Sequence, residues 1–320
     1  AKYDGEGIGG IINIITKKKL KGYNGSISSY ASTNRFGNLN ANLSAKIGKM
    51  GATAYYGAGR NFNEPGKSKT ETIPLVPSIF TRRVLEGDRQ NNNFWNFGNA
   101  EVSIELDSLN TVSAYGNVSG GWNESVLDQT ITTEFPSSPS SVSYYDLKSR
   151  NEYPTTSIGT DYIRKYKSNA EKEFSIRLNG EFGNSNQFTN SFQDNPGTDR
   201  YILNRSVAKN RQYTVQSDYI HPFKNNRKLE SGVKAILRRA SSDFNSQIKY
   251  DASTDFKVNP SNTDYFGYRQ DVYSVYSTYS FKVRNTTLRL GVRAEHTIVD
   301  GDFITTSTKV KQDYTTLLPN

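Results

Sequence analysis

The chain has 320 residues, of which 34% are hydrophobic, with 21 Tyr, 16 Phe and no cysteine. So thin an apolar supply does not suit a thick soluble core, so many aromatics do not suit disorder, and the missing thiols exclude a disulfide framework or a thiolate metal site. No apolar run reaches the roughly 18 residues of a membrane helix, so only a closed barrel would span a bilayer, and the 40 basic and 31 acidic residues are scattered singly, as in a polar lumen with polar loops and unlike a nucleic-acid surface.

In chain order, Gly5, Gly7, Gly9 and Gly10 permit tight turns, and Ile11, Ile12, Ile14 and Ile15 around Asn13 form a short apolar segment of high β propensity. On residues alone this is a Gly-rich turn entering a buried strand. A basic stretch, Lys17, Lys18 and Lys19 with Leu20, follows, and the first membrane strand is predicted from near Gly22.

From there the dominant period is two, in segments of about 9 to 11 residues, the length a tilted transmembrane strand needs. Leu39, Ala41, Leu43, Ala45 and Ile47 alternate with Asn38, Asn40, Asn42, Ser44 and Lys46. Ala100, Val102, Ile104 and Leu106 alternate with Glu101, Ser103, Glu105 and Asp107, and a tight turn leads to Val112, Ala114 and Val118. The pattern returns at Phe174, Ile176, Leu178 and Phe182, at Leu229, Val233, Ala235 and Leu237, and in the paired segments 268–283 and 286–299. About eleven strands are predicted after Gly22 by this criterion.

Short connections (48–51, 107–110, 168–172, 224–228, 284–286) alternate with long polar ones (63–92, 123–158, 187–211, 245–267). Outer-membrane barrels sort their loops this way, short at the periplasmic rim and long outside, and soluble sandwiches have no reason to. The predicted fold class is therefore all-β, a transmembrane antiparallel barrel of which part is visible.

Residues Ala1–Lys18, AKYDGEGIGGIINIITKK, closely resemble the end of the plug domain of TonB-dependent receptors, where a Gly-rich turn leads into an I-N-I-x-T-K strand. YTVQSDYIHPF at 213–223 and the segment 268–297, with Gly291, Arg293 and Glu295 in a G-x-R-x-E pattern, resemble barrel strands of the same family. The resemblance implies a plug tail over 1–20, with Gly7, Gly9, Gly10, Ile12, Asn13 and Ile14 inside the lumen, and the first part of a barrel over 21–320. It implies an outer-membrane receptor of a gram-negative bacterium that imports a scarce or bulky ligand (iron chelate, oligosaccharide or peptide). TonB would act through a segment ahead of Ala1, since the chain reads as an internal piece of something larger. The alternatives are a barrel without energy coupling, acting as a passive pore or assembly component, and a secreted β adhesin or glycan binder.

Chemical constellations are weak. His221 and His296 have no second ligand at metal spacing on one strand face. Pro65–Ser68 lacks the first glycine of a phosphate loop, and Asp194–Asp199 reads as a turn around Asn-Pro-Gly. The expectation is a non-enzyme with no cofactor and no metal, contacting membrane lipid and no nucleic acid. Arg82 and Arg83 in one predicted loop, and Arg200 and Arg205 in another, are candidates for an anionic ligand or lipopolysaccharide phosphate. In the last hairpin, Leu288, Leu290, Val292 and Ala294 are predicted to face lipid, and Arg289, Arg293 and Glu295 the lumen.

Overall fold

The computed structural model describes residues 22–194, 198–284, 286–304 and 307–319. The plug-like motif residues Gly7, Gly9, Gly10, Ile12, Asn13 and Ile14 lie outside the described residues.

The described residues build one antiparallel sheet of 14 strands with a single 3-10 turn at Pro260–Asn262. The strands are β1 (Gly22–Ser32), β2 (Phe36–Ile47), β3 (Met50–Thr72), β4 (Arg82–Glu105), β5 (Asn110–Glu134), β6 (Ser141–Glu152) and β7 (Thr155–Tyr166). They continue with β8 (Asn169–Gln193), β9 (Arg200–Phe223), β10 (Arg227–Lys249), β11 (Lys257–Val258), β12 (Asp264–Val283), β13 (Thr286–Phe303) and β14 (Thr308–Pro319). Neighbours in sequence pair almost throughout, and β1 and β14 form the two ends of the sheet.

Simple up-and-down order is broken by the short β11, which pairs only with β10, and at β6 and β7. Both pair with β5 and β8, β6 with the outer part of each and β7 with the inner part, so they are two collinear halves of one strand line. Pro154 stands at the interruption; it has no N–H for the ladder and is tolerated only at such breaks. Opposite it, Gly120 has φ +149 and leaves no room for a Cβ, which would sit 2.7 Å from Pro154 Cα.

Loop sorting holds, with a correction to loop length. One rim has tight turns at 48–49, 106–109, 167–168 and 224–226, and Val283 pairs with Thr286 at the same rim. At the other rim, most residues predicted as loop are strand: 63–72 and 82–92 belong to β3 and β4, 187–193 and 200–211 to β8 and β9, and 141–152 is β6. Of the predicted long loops, 73–81, 135–140 and 250–263 remain as connections, the last containing β11 and the 3-10 turn, and the tight turn 33–35 stands at the same rim. Strands of 23 to 25 residues reach about 80 Å along the chain at roughly 3.3 Å per residue, far beyond the 9 to 11 residues that cross a bilayer. Backbone pairing needs no apolar face, so hairpins continue into water where the side-chain period fades. Pro65–Ser68 accordingly lies in β3, just past a bulge between Asn61 and Glu64 at which Asn63 takes φ +44.

The two faces of the sheet differ sharply. Side chains of Leu43, Val102, Val118, Leu178, Val215, Val233, Val275, Leu290 and Leu317 are exposed on one face. On the other, Gln216, Ser274, Tyr276, Thr278, Arg293 and Thr297 are buried. Crowding of polar groups marks the concave side of a curled sheet, and the outward face carries the apolar groups. The apolar window is Val112–Trp122 on β5, Tyr213–Phe223 on β9, Leu229–Leu237 on β10 and Tyr273–Phe281 on β12, each within the roughly 9 to 11 residues required.

Candidate functional site: a polar lumen inside an apolar belt

At the short-turn edge of the belt, aromatic side chains gather on the outward face. His221 packs 4.5 Å from Phe223 and 6.0 Å from Tyr219, Phe223 reaches Tyr279, and Tyr279 reaches Phe281. At the far edge Phe94 stands opposite Trp122, over whose ring the guanidiniums of Arg60 and Arg150 lie at 5.3 and 5.1 Å. Aromatic rings at both interfaces, with an apolar band between, are the lipid-facing architecture of a membrane barrel.

The lumenal face is built by register. β12 pairs with β13 so that Tyr276 faces Arg293 and Ser274 faces Glu295, and with β10 so that Tyr276 faces Gly232. Arg293 is 3% exposed; its Nε donates to Glu295 Oε1 at 2.6 Å, its Nη2 to Ser274 Oγ at 2.9 Å, and its guanidinium lies over the Tyr276 ring at 5.5 Å. The Tyr276 hydroxyl donates to Asp218 Oδ1 at 2.6 Å and accepts from Gln216 Nε2 at 3.1 Å, while Gln216 also donates to Asp218 Oδ2 at 2.8 Å. The network thus runs across β9, β12 and β13. Arg289 pairs with Glu230 of β10, and further round Arg177 holds Asp161 by two hydrogen bonds. Arg289, Arg293 and Glu295 all lie on this face, with Leu288, Leu290 and Val292 exposed on the other.

A second lumenal feature is an aromatic ladder on β3 and β4. Tyr55 stacks on Phe97 at 5.1 Å and Phe97 on Trp95 at 5.9 Å. Trp95 covers Gly59, the residue opposite it, so closely that a Cβ there would lie 2.5 Å from the indole. The ladder closes the gap that a glycine leaves in the wall.

The four arginines predicted as loop ligands lie in strands. Arg82 opens β4 and is held between Glu71 at 2.7 Å and Glu134 at 2.8 Å. Both contacts already satisfy its charge, which removes it as a free anion site. Arg83 lies over Phe80 at 4.5 Å. Arg200 and Arg205 are in β9, five residues apart and so on opposite faces. The four therefore do not form one cluster. His221 sits in the aromatic girdle, and His296 contacts Thr315 and Asp313 of β14. Asp194 closes β8 through a hydrogen bond to Tyr144 O, and 195–197 lie outside the described residues.

Sequence reading missed Tyr276, Asp218 and Gln216 as partners of Arg293. Alternation puts each on the lumenal face of its own strand, but which of them meet depends on pairing between strands far apart in sequence.

Residues 164–320, from the end of β7 through β14, match the model of the outer membrane protein beta-barrel family. No curated protein matches the chain. A soluble secreted adhesin would leave the belt in water, where contiguous apolar patches of this extent are not tolerated. With its lipid-facing belt, its polar lumen and this match over 164–320, the chain forms the wall of an outer-membrane β-barrel.

Proposed function

We propose that this wall belongs to a TonB-dependent receptor that imports a scarce or bulky ligand by energy coupling, binding it in an outer vestibule above a plugged lumen. The observation that carries the reading is the continuation of β3, β4, β5, β8, β9 and β10 as paired hairpins well outside the belt. A simple diffusion pore needs only a wall as tall as the bilayer. Paired hairpins raise a stiff rim on which ligand contacts are held at fixed positions, the arrangement a capture site requires. The breadth of the sheet agrees, since small eight-stranded barrels fill their interiors with their own side chains and wider ones enclose a channel or a plug. The resemblance of residues 1–18 to a plug tail completes the reading. Ligands in the classes of iron chelates, oligosaccharides and peptides fit such a vestibule, and no catalytic role is assigned.

The test is uptake by cells carrying the protein, using a radiolabelled ferric chelate, a maltooligosaccharide series and an oligopeptide mixture as probes. Uptake of one class that collapses with a protonophore and in cells lacking TonB supports the proposal. Uptake that persists under both conditions identifies a passive pore, the rival reading for the same wall.

A further inference from the structure

The outward face carries a feature that transport through the lumen does not use. Directly above the belt, Arg211 of β9, Arg239 of β10 and Arg269 of β12 stand opposite one another in hydrogen-bonded register. Cross-strand neighbours are about 5 Å apart, and like charges so placed repel. Asp271 offsets part of this: its carboxylate accepts from Arg239 Nη1 at 2.6 Å and from Arg269 Nε at 2.9 Å, which orients both guanidiniums. Asp300 stands opposite Arg269 on β13, and Lys209 lies two residues above Arg211 on the same face. Arg211 has no carboxylate partner among the described residues, and the Arg239 and Arg269 side chains remain 43% and 51% exposed.

Beneath this row the belt is indented. Small Ala235 and Ala294 between Val215, Val233, Tyr273 and Val275 leave an open outward groove of about 390 Å³. A second groove of about 520 Å³, bordered by Val233, Val292 and Leu317, continues it towards the short-turn rim. Leu237 and Tyr213, opposite each other, lie between groove and arginines. An open apolar groove that runs down the belt below the three guanidiniums, on the long-hairpin side, which is the outer side of such barrels, has room for an acyl chain beneath a charged headgroup.

We propose that this surface binds a phosphorylated lipid of the outer leaflet, with its phosphate on Arg211, Arg239 and Arg269 and an acyl chain in the groove below. Guanidinium forks pair bidentately with phosphate, and a belt-edge position places them where lipid headgroups lie. The lipid phosphate supplies the further anion that the partly compensated row, and Arg211 above all, lacks. Free phosphate has no use for the groove, and an uncharged lipid has none for the arginines.

The experiment uses protein extracted from outer membranes into dodecylmaltoside, with hexa-acylated bisphosphoryl lipid A, its dephosphorylated form and inorganic phosphate as probes, read by native mass spectrometry. Bisphosphoryl lipid A should bind, and R211Q/R269Q should weaken it by about tenfold or more, as expected for losing two charge-assisted contacts. Arg239 is retained so that Asp271 keeps a partner. Dephosphorylated lipid should bind wild type as weakly as phosphorylated lipid binds the variant, and K67Q/K69Q, in the outer part of β3, should behave as wild type. Heat-modifiable gel mobility reports folding. If the double variant does not fold, R211Q alone, which breaks no ion pair, should still weaken binding about threefold. Equal affinity for the two lipids, an unchanged affinity in a folded variant, or displacement of lipid by millimolar inorganic phosphate overturns the proposal. None of these readouts depends on ligand import, so failure here leaves the transport reading standing.

Discussion

Arg293 and Tyr276 face each other across β12 and β13, the guanidinium 5.5 Å above the ring, with Arg293 held to Glu295 and Tyr276 to Asp218. Each residue fixes the other's position, and together they tie three strands through side chains in addition to the backbone ladder.

Replacing Arg293 by Ala removes one partner of a buried ion pair and leaves Ser274 and Glu295 short of donors. The cost of breaking such a pair is about 3 kcal/mol. Arg289, which is half exposed beside Glu230, should lose less than about 1 kcal/mol on the same change. Urea unfolding of the two variants in lipid vesicles checks the order. Equal losses would show that the lumenal network contributes nothing beyond surface pairing.

Val292 is 50% exposed on the lipid side of β13, opposite Ser277 at the middle of the β12 window, so Val292→Arg places a cation in the belt. Near the midplane this costs about 2 to 4 kcal/mol. Arg289→Leu on the opposite face should be tolerated far better. The measurement is the fraction of each variant reaching the heat-modifiable folded form, and comparable yields would contradict the assignment of faces.

Gly232 is opposite Tyr276, and a Cβ there would lie 2.6 Å from the Tyr276 ring and 2.7 Å from Ser217 O. Because the carbonyl belongs to backbone, it does not yield. Gly232→Ala should push Tyr276 off Asp218 and cost about 1 to 3 kcal/mol by overpacking. Combining it with Tyr276→Ala should recover part of that loss, since the ring is then gone, and a strictly additive double variant would contradict the contact.

The outer hairpins should respond to pH in opposite directions. Asp88, Asp128 and Asp146 stand opposite one another across β4, β5 and β6, and burial followed by the Asp128 charge pushes the Asp146 carboxyl above its usual range. A raised carboxyl favours the folded hairpin below its ordinary pKa, and the contribution is lost as pH rises through the raised value. At the tip of β3 and β4, hydrogen bonding and charge from Arg82 hold Glu71 below its usual range. That contribution is present above the ordinary value and lost as pH falls through the lowered one. Amide exchange over 125–148 should therefore quicken on raising the pH, after correction for the intrinsic rate, and Asp146→Asn should abolish the change. Exchange over 66–72 should quicken only in acid.

The sequence by itself determined the class of fold and the sidedness of each strand. Successive side chains point to opposite faces, so Leu288, Leu290 and Val292 could not turn outward without Arg289, Arg293 and Glu295 turning inward. Belt height follows from the same alternation, because it persists only where one face meets lipid. Where hairpins stand in water on both sides, as in 63–72 and 82–92, alternation carries no penalty and fades, and those segments read as loop although their backbones are fully paired. Only the tertiary structure decided which residues meet. The rows Gln216–Asp218–Tyr276–Arg293 and Arg211–Arg239–Arg269 join strands whose relative register is set by the turns and by pairing over dozens of residues. A shift of two residues between neighbours would keep every side chain on its own face and dissolve both rows. The physical reason is that face is a local property of a strand, whereas register belongs to the pair.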